Sequence, residues 1–490
     1  MRVVLRWVLR LCVLAVVLLA VALAGRAIQA WMGPSLQVWH RFIPKELSRA
    51  ELDQADWPAY LTREDQIMGE VRAHVGNVLP HAEQVALNRY YPGSPIYPPR
   101  FTQDWNRSYV IEPQGPIKGV AVFLHGLTDS PYSLRHFARL YAAHGFLAIG
   151  LRLPGHGTTP AALMDAEWED WMAATRLVMR EASRRAGPDL PLHVVGYSNG
   201  AALALLYTLE AVDAPNLRKP DQIVLVSPMV GITPFASLVG LAALPAILPP
   251  FQEARWLNIL PEFNPFKYNS FPVNAARQSY RLTQALQDSI VRHERAGHLD
   301  GLPPILAFQS VLDHTVVARD LVDKLYAHLP ANGSELVLFD VNRSAQLTLM
   351  LNGAARDALD SLLPPGPRTY RTRVITNASP ATLDMVARVT EAGTTLSSDT
   401  PLHLAYPASV YSLSHIALPF PLDDGLYGLT PDPADDFGIQ LGALASHGEY
   451  GALLIGIDMA MRMSSNPFLP YVKDLVAEKL PTARPIGPGP

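Results

Sequence analysis

The sequence predicts an α/β fold, a mostly parallel, doubly wound sheet with helices on both faces. Two observations lead there. Short, nearly continuous apolar runs recur from about residue 108 onward, and stretches with helical spacing separate them. Strands buried on both faces of a parallel sheet are apolar throughout rather than alternating, and strand–helix alternation is how such a sheet is wound.

The strands expected in order are Tyr109–Glu112, Gly119–Leu124, Phe146–Leu151, Leu192–Gly196, Ile223–Val226, Ile305–Phe308, Glu335–Phe339 and Arg373–Thr376. A helix is expected from Ser130-Pro131, a cap followed by proline at the first helical position, to a stop at Gly145. Another runs from about Leu163 to Arg185, and a third over Ala201–Val212. Two intervals break the rhythm, 229–303 and 341–405. Both read as insertions, the second holding one extra strand–helix unit. Residues 27–105 read as an irregular helical lead-in with no chemical motif, 106–480 as the main domain, and 481–490 as a disordered Pro/Gly-rich tail.

Composition narrows the function. Across 490 residues, 49% are hydrophobic and 17% charged, ample for a large core. The net charge of −4 is spread without a basic block, so nucleic acid is not an expected partner. The single cysteine, Cys12, lies in the N-terminal apolar stretch, which leaves the body with no disulfide, thiolate nucleophile or cysteine metal site.

At the N-terminus, Arg2, Arg6 and Arg10 precede an uncharged run that Arg26 closes. With Arg6 and Arg10 snorkelling, Val3–Ala24 spans about 33 Å as a helix, enough for a roughly 30 Å bilayer core. Residues 1–26 are therefore expected to be an uncleaved membrane anchor. The other reading is a signal peptide cut after Ala22-Leu23-Ala24, the rest being secreted to the periplasm. In both, the basic end stays inside and the rest is exported to the extracytoplasmic side.

Three motifs carry chemistry. Residues 192–202 hold Gly196-x-Ser198-x-Gly200 between an apolar strand and a helix. Such a turn is strained, pushes the serine hydroxyl into a site, and needs glycine where the backbone crowds. Ser198 is the candidate nucleophile. An apolar strand also runs into His125-Gly126-Leu127. There the backbone N–H of Leu127, with that of Asn199 after the serine, is expected to hold an oxyanion. The third motif is Leu153-Pro154-Gly155-His156-Gly157. His125 and His156 are read as structural loop histidines.

With these segments in this order and spacing, residues 110–320 resemble the α/β-hydrolase superfamily. The similarity is to its monoacylglycerol lipase, lysophospholipase, serine aminopeptidase and bacterial carboxylesterase branch. The resemblance implies that the catalytic acid follows the strand after the cap, with valine a few residues on. Asp313 and Val316 fit, and Asp340, otherwise a solvated strand end, is the rival. The histidine comes later. Of His314, His328, His403, His415 and His447, His415 follows a short apolar stretch just past the sheet and is preferred, with His447 second. The 102 residues from Asp313 to His415 are about three times the usual gap, so the 341–405 insertion has to loop out.

The expected chemistry is acyl transfer through Ser198 on a small or lipid-like ester, with no metal or cofactor. An amidase or aminopeptidase of the same fold is the alternative, and a non-catalytic envelope binding protein lies in a different class. Gln222–Gln252 has no charged side chain and stands where this family inserts its lid. It is either an apolar wall over the site or an ordinary buried cap helix.

Overall fold

A computed structural model describes residues 2–231, 243–246, 249–313, 315–344, 353–407, 410, 412–442 and 465–481. A ten-stranded sheet runs through the body in the order β1-β3-β2-β4-β5-β8-β9-β10-β11-β12. The strands are β1 Tyr109–Ile111, β2 Gly119–Leu124, β3 Phe146–Leu151, β4 Leu192–Tyr197, β5 Gln222–Val226, β8 Ile305–Ser310, β9 Glu335–Phe339, β10 Arg371–Asn377, β11 Asp384–Thr390 and β12 Ser397–Ala405. β6 Trp256–Asn258 and β7 Phe271–Pro272 form a separate antiparallel pair inside the 229–303 interval.

Strands β3 through β10 of the main sheet pair in parallel, while β1 at one edge and β11–β12 at the other run antiparallel. Successive residues point to opposite faces, so β2 feeds two cores. Val120, Val122 and Leu124 join one, with helices α5 Trp168–Ala186 and α6 Asn199–Asp213. Ala121 and Phe123 join the other, with helix α4 Arg135–Ala143 and the helix Leu469–Ala477. The eight expected strands all appear, within two residues at their ends. The α/β-hydrolase fold is the result.

The 341–405 interval departs from the expectation of one strand–helix unit. It holds the helix Gly353–Leu362 and β10, and then the hairpin β11–β12, which the sequence reading missed. β12 reads Ser-Ser-Asp-Thr-Pro-Leu-His-Leu-Ala and is mostly exposed, so no apolar run marks it. The insertion is looped out by being paired onto the sheet edge.

The lead-in has more order than its sequence suggested. Ser48 caps α2 Arg49–Gln54, and Asp56 caps α3 Trp57–His74, whose second residue is Pro58. It also supplies the partners of a buried charge. Arg152, fully buried, pairs with Glu46 at 2.7 Å and Glu64 at 3.0 Å, and Gly155 N–H donates to Glu46 at 2.8 Å. A lone buried guanidinium would be costly, so two lead-in carboxylates are what lets the Leu153–Gly157 loop keep this arginine inside.

At the N-terminus, helix α1 Arg2–Met32 carries a 26-residue stretch, Val4–Gln29, long and apolar enough to cross a membrane. Large apolar side chains from Val4 to Val21 are exposed around the whole helix. The expected tail from 482 and most of the apolar lid segment, 232–242, lie outside the described residues.

Candidate active site

The site is built where three strands end at the carboxyl edge of the sheet, the usual place for ligand chemistry on an open α/β sheet. β4 ends in the Ser198 turn. Ser198 has φ 52° and ψ −114°, a conformation L-residues other than glycine avoid. The glycines explain how it is tolerated. A Cβ on Gly200 would stand 2.0 Å from the Leu124 carbonyl oxygen, and one on Gly196 2.5 Å from Ala201 Cα. Only glycine lets β4, the turn, α6 and β2 approach this closely. Helix α6 starts at Asn199, so its free N-terminal N–H groups point into the turn.

Strand β2 ends at Leu124, and His125-Gly126-Leu127 follows. The ideal Cβ position of Gly126 is 3.3 Å from Ser198 Cβ, which places this loop against the serine. Among the described residues the N–H groups of Leu127 and Asn199 have no hydrogen-bond acceptor. His125 holds the loop. Its Nδ1 bonds the Gly126 carbonyl at 2.9 Å and its Nε2 accepts from Leu153 N–H at 3.0 Å. Burial, with His156 nearby, drives its pKa far down, so it stays neutral. His156 is also buried, with its pKa lowered to about 4 chiefly by burial, and bonds the Pro154 carbonyl.

Strand β8 ends at Ser310, and Asp313 lies three residues on. Its Oδ2 accepts from His415 Nδ1 at 2.8 Å and Gln309 Nε2 at 3.0 Å, and its Oδ1 from the N–H groups of Thr315 and Val316. Burial pushes this carboxyl up, but His415 and the backbone donors outweigh it and hold it below the ordinary aspartate value. It is therefore an anion with four donors and no exposed side-chain surface.

His415 arrives from far along the chain. After β12, Tyr406 donates to the Asp340 carbonyl at 3.0 Å, Asn342 to the Val410 carbonyl at 3.1 Å, and Ser310 to the Leu413 carbonyl at 2.8 Å. These bonds lay the returning chain across the ends of β8 and β9. The imidazole then stacks on Tyr197, the residue before Ser198, with ring centroids 5.4 Å apart. Ser198 and His415 are 7% and 8% exposed, so both are nearly dry yet reachable.

The rivals stand elsewhere. Asp340 is buried rather than solvated, ion-paired to Arg343 and bonded by Thr376 at 2.9 Å. His328 bonds Glu294 at 2.6 Å, and His403 is exposed on β12. His314 and His447 lie outside the described residues. The sequence reading missed the supports: Gln309, Ser310, Tyr197 and the buried Asp129 of the loop after β2. Burial raises the Asp129 pKa against the pull of Lys267 and His415. No motif marks these residues, because each acts through a contact that the fold creates. Among the described residues no group of three or more His, Cys, Asp or Glu is arranged to hold a metal ion.

This strand–turn–helix geometry with its loops at the sheet edge is that of the α/β-hydrolase fold. Within that class, residues 115–341 match the family described as serine aminopeptidase, S33. The similarity runs toward the monoacylglycerol lipase and lysophospholipase-like branch. The thermostable monoacylglycerol lipase of Bacillus sp. (strain H-257) is 28% identical over 233 residues, covering 46% of this chain and 80% of the relative. Among solved structures, a monoacylglycerol lipase of Paleococcus ferrophilus is 16% identical, with TM-score 0.36, over 52% of this chain and 98% of that one. A soluble variant of monoglyceride lipase from Saccharomyces cerevisiae is 13% identical, with TM-score 0.36, over 47% and 81%.

Proposed function

We propose that the protein is a serine hydrolase of carboxylic esters, with lipid-like esters of the monoacylglycerol or lysophospholipid type as substrates. The observation that carries this reading is the 2.8 Å contact between Asp313 and His415, set beside a strained serine turn. Ser198 attacks the ester carbonyl while His415 takes its proton. Asp313 holds Nδ1 as the donor, leaves Nε2 free as the base, and stabilises the imidazolium that forms. The N–H groups of Leu127 and Asn199 receive the oxyanion, each worth about 3–4 kcal/mol in the transition state. His415 then protonates the leaving alcohol. Water, activated by the same histidine, cleaves the acyl-enzyme.

The relative named as a monoacylglycerol lipase supports lipid-like substrates. So does α1, which as an uncleaved anchor holds the domain at a lipid surface, with its arginine-rich end inside and the body on the extracytoplasmic side. A fluorophosphonate probe and p-nitrophenyl esters of graded chain length test the reading. Labelling lost in Ser198→Ala, with turnover rising from short to medium acyl chains, is expected. Unlabelled, folded protein would mean a non-catalytic binding protein.

An aminopeptidase or amidase is the second reading. Asp129 favours it, as a carboxyl beside the site that an ammonium group would pair with, and the name of the matched family is consistent with it. Aminoacyl p-nitroanilides turned over faster than the esters would decide for it.

A further inference from the structure

A cavity of about 400 Å³ lies between α3, the 89–107 loop and the Gly157–Thr158 turn, and Ser198 is not among its lining residues. One wall is apolar, with Met68, Val71, Pro98, Pro99 and Phe101. The charged residues that line it are Arg72, Arg89, Arg107 and Asp104, so the lining is net positive.

The three guanidinium groups differ in what they already hold. Arg107 pairs with Asp65 at 2.6 Å. Arg89 is buried, and its partners are uncharged: Asn106 Oδ1 at 2.8 Å and the carbonyls of Asn264 and Lys267. Arg72 is exposed and has no ion pair or hydrogen bond among the described residues. The one carboxylate that lines it, Asp104, accepts through Oδ1 alone from the backbone and side chain of Asn106, at 3.0 and 2.9 Å. Arg72 thus faces the cavity with no carboxylate partner, and the Arg89 guanidinium with only the buried Glu262 carboxylate in its field and no bond to it, next to an apolar wall.

We propose that this cavity is a second binding site, for an amphiphile with a single anionic head, a carboxylate or a phosphate monoester. The head pairs with Arg72 and Arg89, and the apolar body lies along Met68, Val71 and Phe101. Arginine is the natural partner for such planar or forked oxyanions. The site touches the frame of the oxyanion loop. Tyr90 donates to the Thr158 carbonyl at 3.0 Å, Thr158 N–H donates to the Tyr268 hydroxyl at 2.7 Å, and Tyr268 N–H donates to the Thr128 carbonyl at 2.8 Å. An occupant therefore rests on the same bonded chain that ends one residue from Leu127.

The proposal does not depend on catalysis, so it is tested with the nucleophile removed. The full chain carrying Ser198→Ala, in detergent, is titrated calorimetrically with hexanoate, hexyl phosphate and hexan-1-ol. Saturable binding of either anion, weakened at least tenfold by Arg72→Ala and largely kept by Arg72→Lys, is expected, with no saturable binding of the alcohol. The anion that binds tighter tells a free acid from a lipid phosphate head. Anion binding unchanged by Arg72→Ala, no anion binding, or alcohol binding as tight as the anions would overturn it.

Discussion

The serine turn and the histidine loop meet at the same rim of the sheet but are held there by opposite means. The turn is local. Ser198 keeps a strained φ because Gly196 and Gly200 let β4, α6 and β2 close around it within a few residues. The histidine loop is remote. His415 is 102 residues from Asp313 and sits where it does because Ser310, Asn342 and Asp340 pin the returning chain. Beyond it the chain is fastened again: Asn466 donates to the Leu418 carbonyl at 2.9 Å, and buried Arg135 pairs with Asp424 at 2.6 Å. A serine turn built locally tolerates a long insertion downstream. A histidine held by distant contacts does so only if each contact survives.

That contrast orders the expected effects. On the proposed mechanism Ser198→Ala removes the attacking atom and should abolish ester turnover, by at least about 10⁴-fold, with an unchanged melting temperature. Residual turnover within tenfold of the wild type would move the nucleophile elsewhere. His415→Ala and Asp313→Ala should each cost about 10³–10⁴-fold in kcat while the protein stays folded. Their double variant should cost little more than either, because the residues act as a unit. Full activity in His415→Ala would transfer the base to another histidine.

Asp424→Asn tests the outer fastening. It leaves Arg135 and His136 without their buried anion, which already receives bonds from Tyr132 and the backbone of Leu426 and Tyr427. A loss of about 3 kcal/mol in denaturant unfolding is expected. Burial opposes ionisation of Asp424, but Arg135 and His136 outweigh it and depress its pKa. A carboxyl depressed in the folded state contributes stability above its unfolded pKa, near 4, and loses it as pH falls further. The variant's deficit should therefore shrink at acidic pH.

Ser310→Ala is the finer probe of the histidine loop. It deletes the bond to the Leu413 carbonyl, for about 1 kcal/mol of stability. Fluorophosphonate labelling of Ser198, which also needs the base, should slow more than the melting temperature alone suggests. Equal slowing in a control such as Thr208→Ala, a buried hydroxyl bonded within α6, would refute a positioning role.

The last probe is a pH slope. His193 is buried with its pKa lowered to about 4, mainly by burial. A histidine depressed in the folded state stays neutral there while the unfolded chain takes the proton. Stability is then lost as pH falls from about 6.5 toward 4, at up to about 1.4 kcal/mol per pH unit per histidine. Unfolding at pH 7 and 5 should show a shallower slope in His193→Gln, and an identical slope would exclude this group.

What the residues announced in order is what local physics controls. Apolar runs gave β2, β3 and β9 to the residue, because a strand buried on both faces has no polar alternative. The Gly196–Gly200 turn was legible because only glycine fits where a Cβ would stand 2.0 Å from a carbonyl. Polar β12 and the paired hairpin it completes were not legible, since an exposed edge strand carries no apolar signature. Nor was the task of the lead-in, whose Glu46 and Glu64 look like ordinary surface acids until Arg152 is buried between them. Local sequence determined the strands and the Gly196–Gly200 turn. Only the tertiary structure decided which aspartate meets which histidine, because that choice is made by hydrogen bonds between segments far apart in the chain.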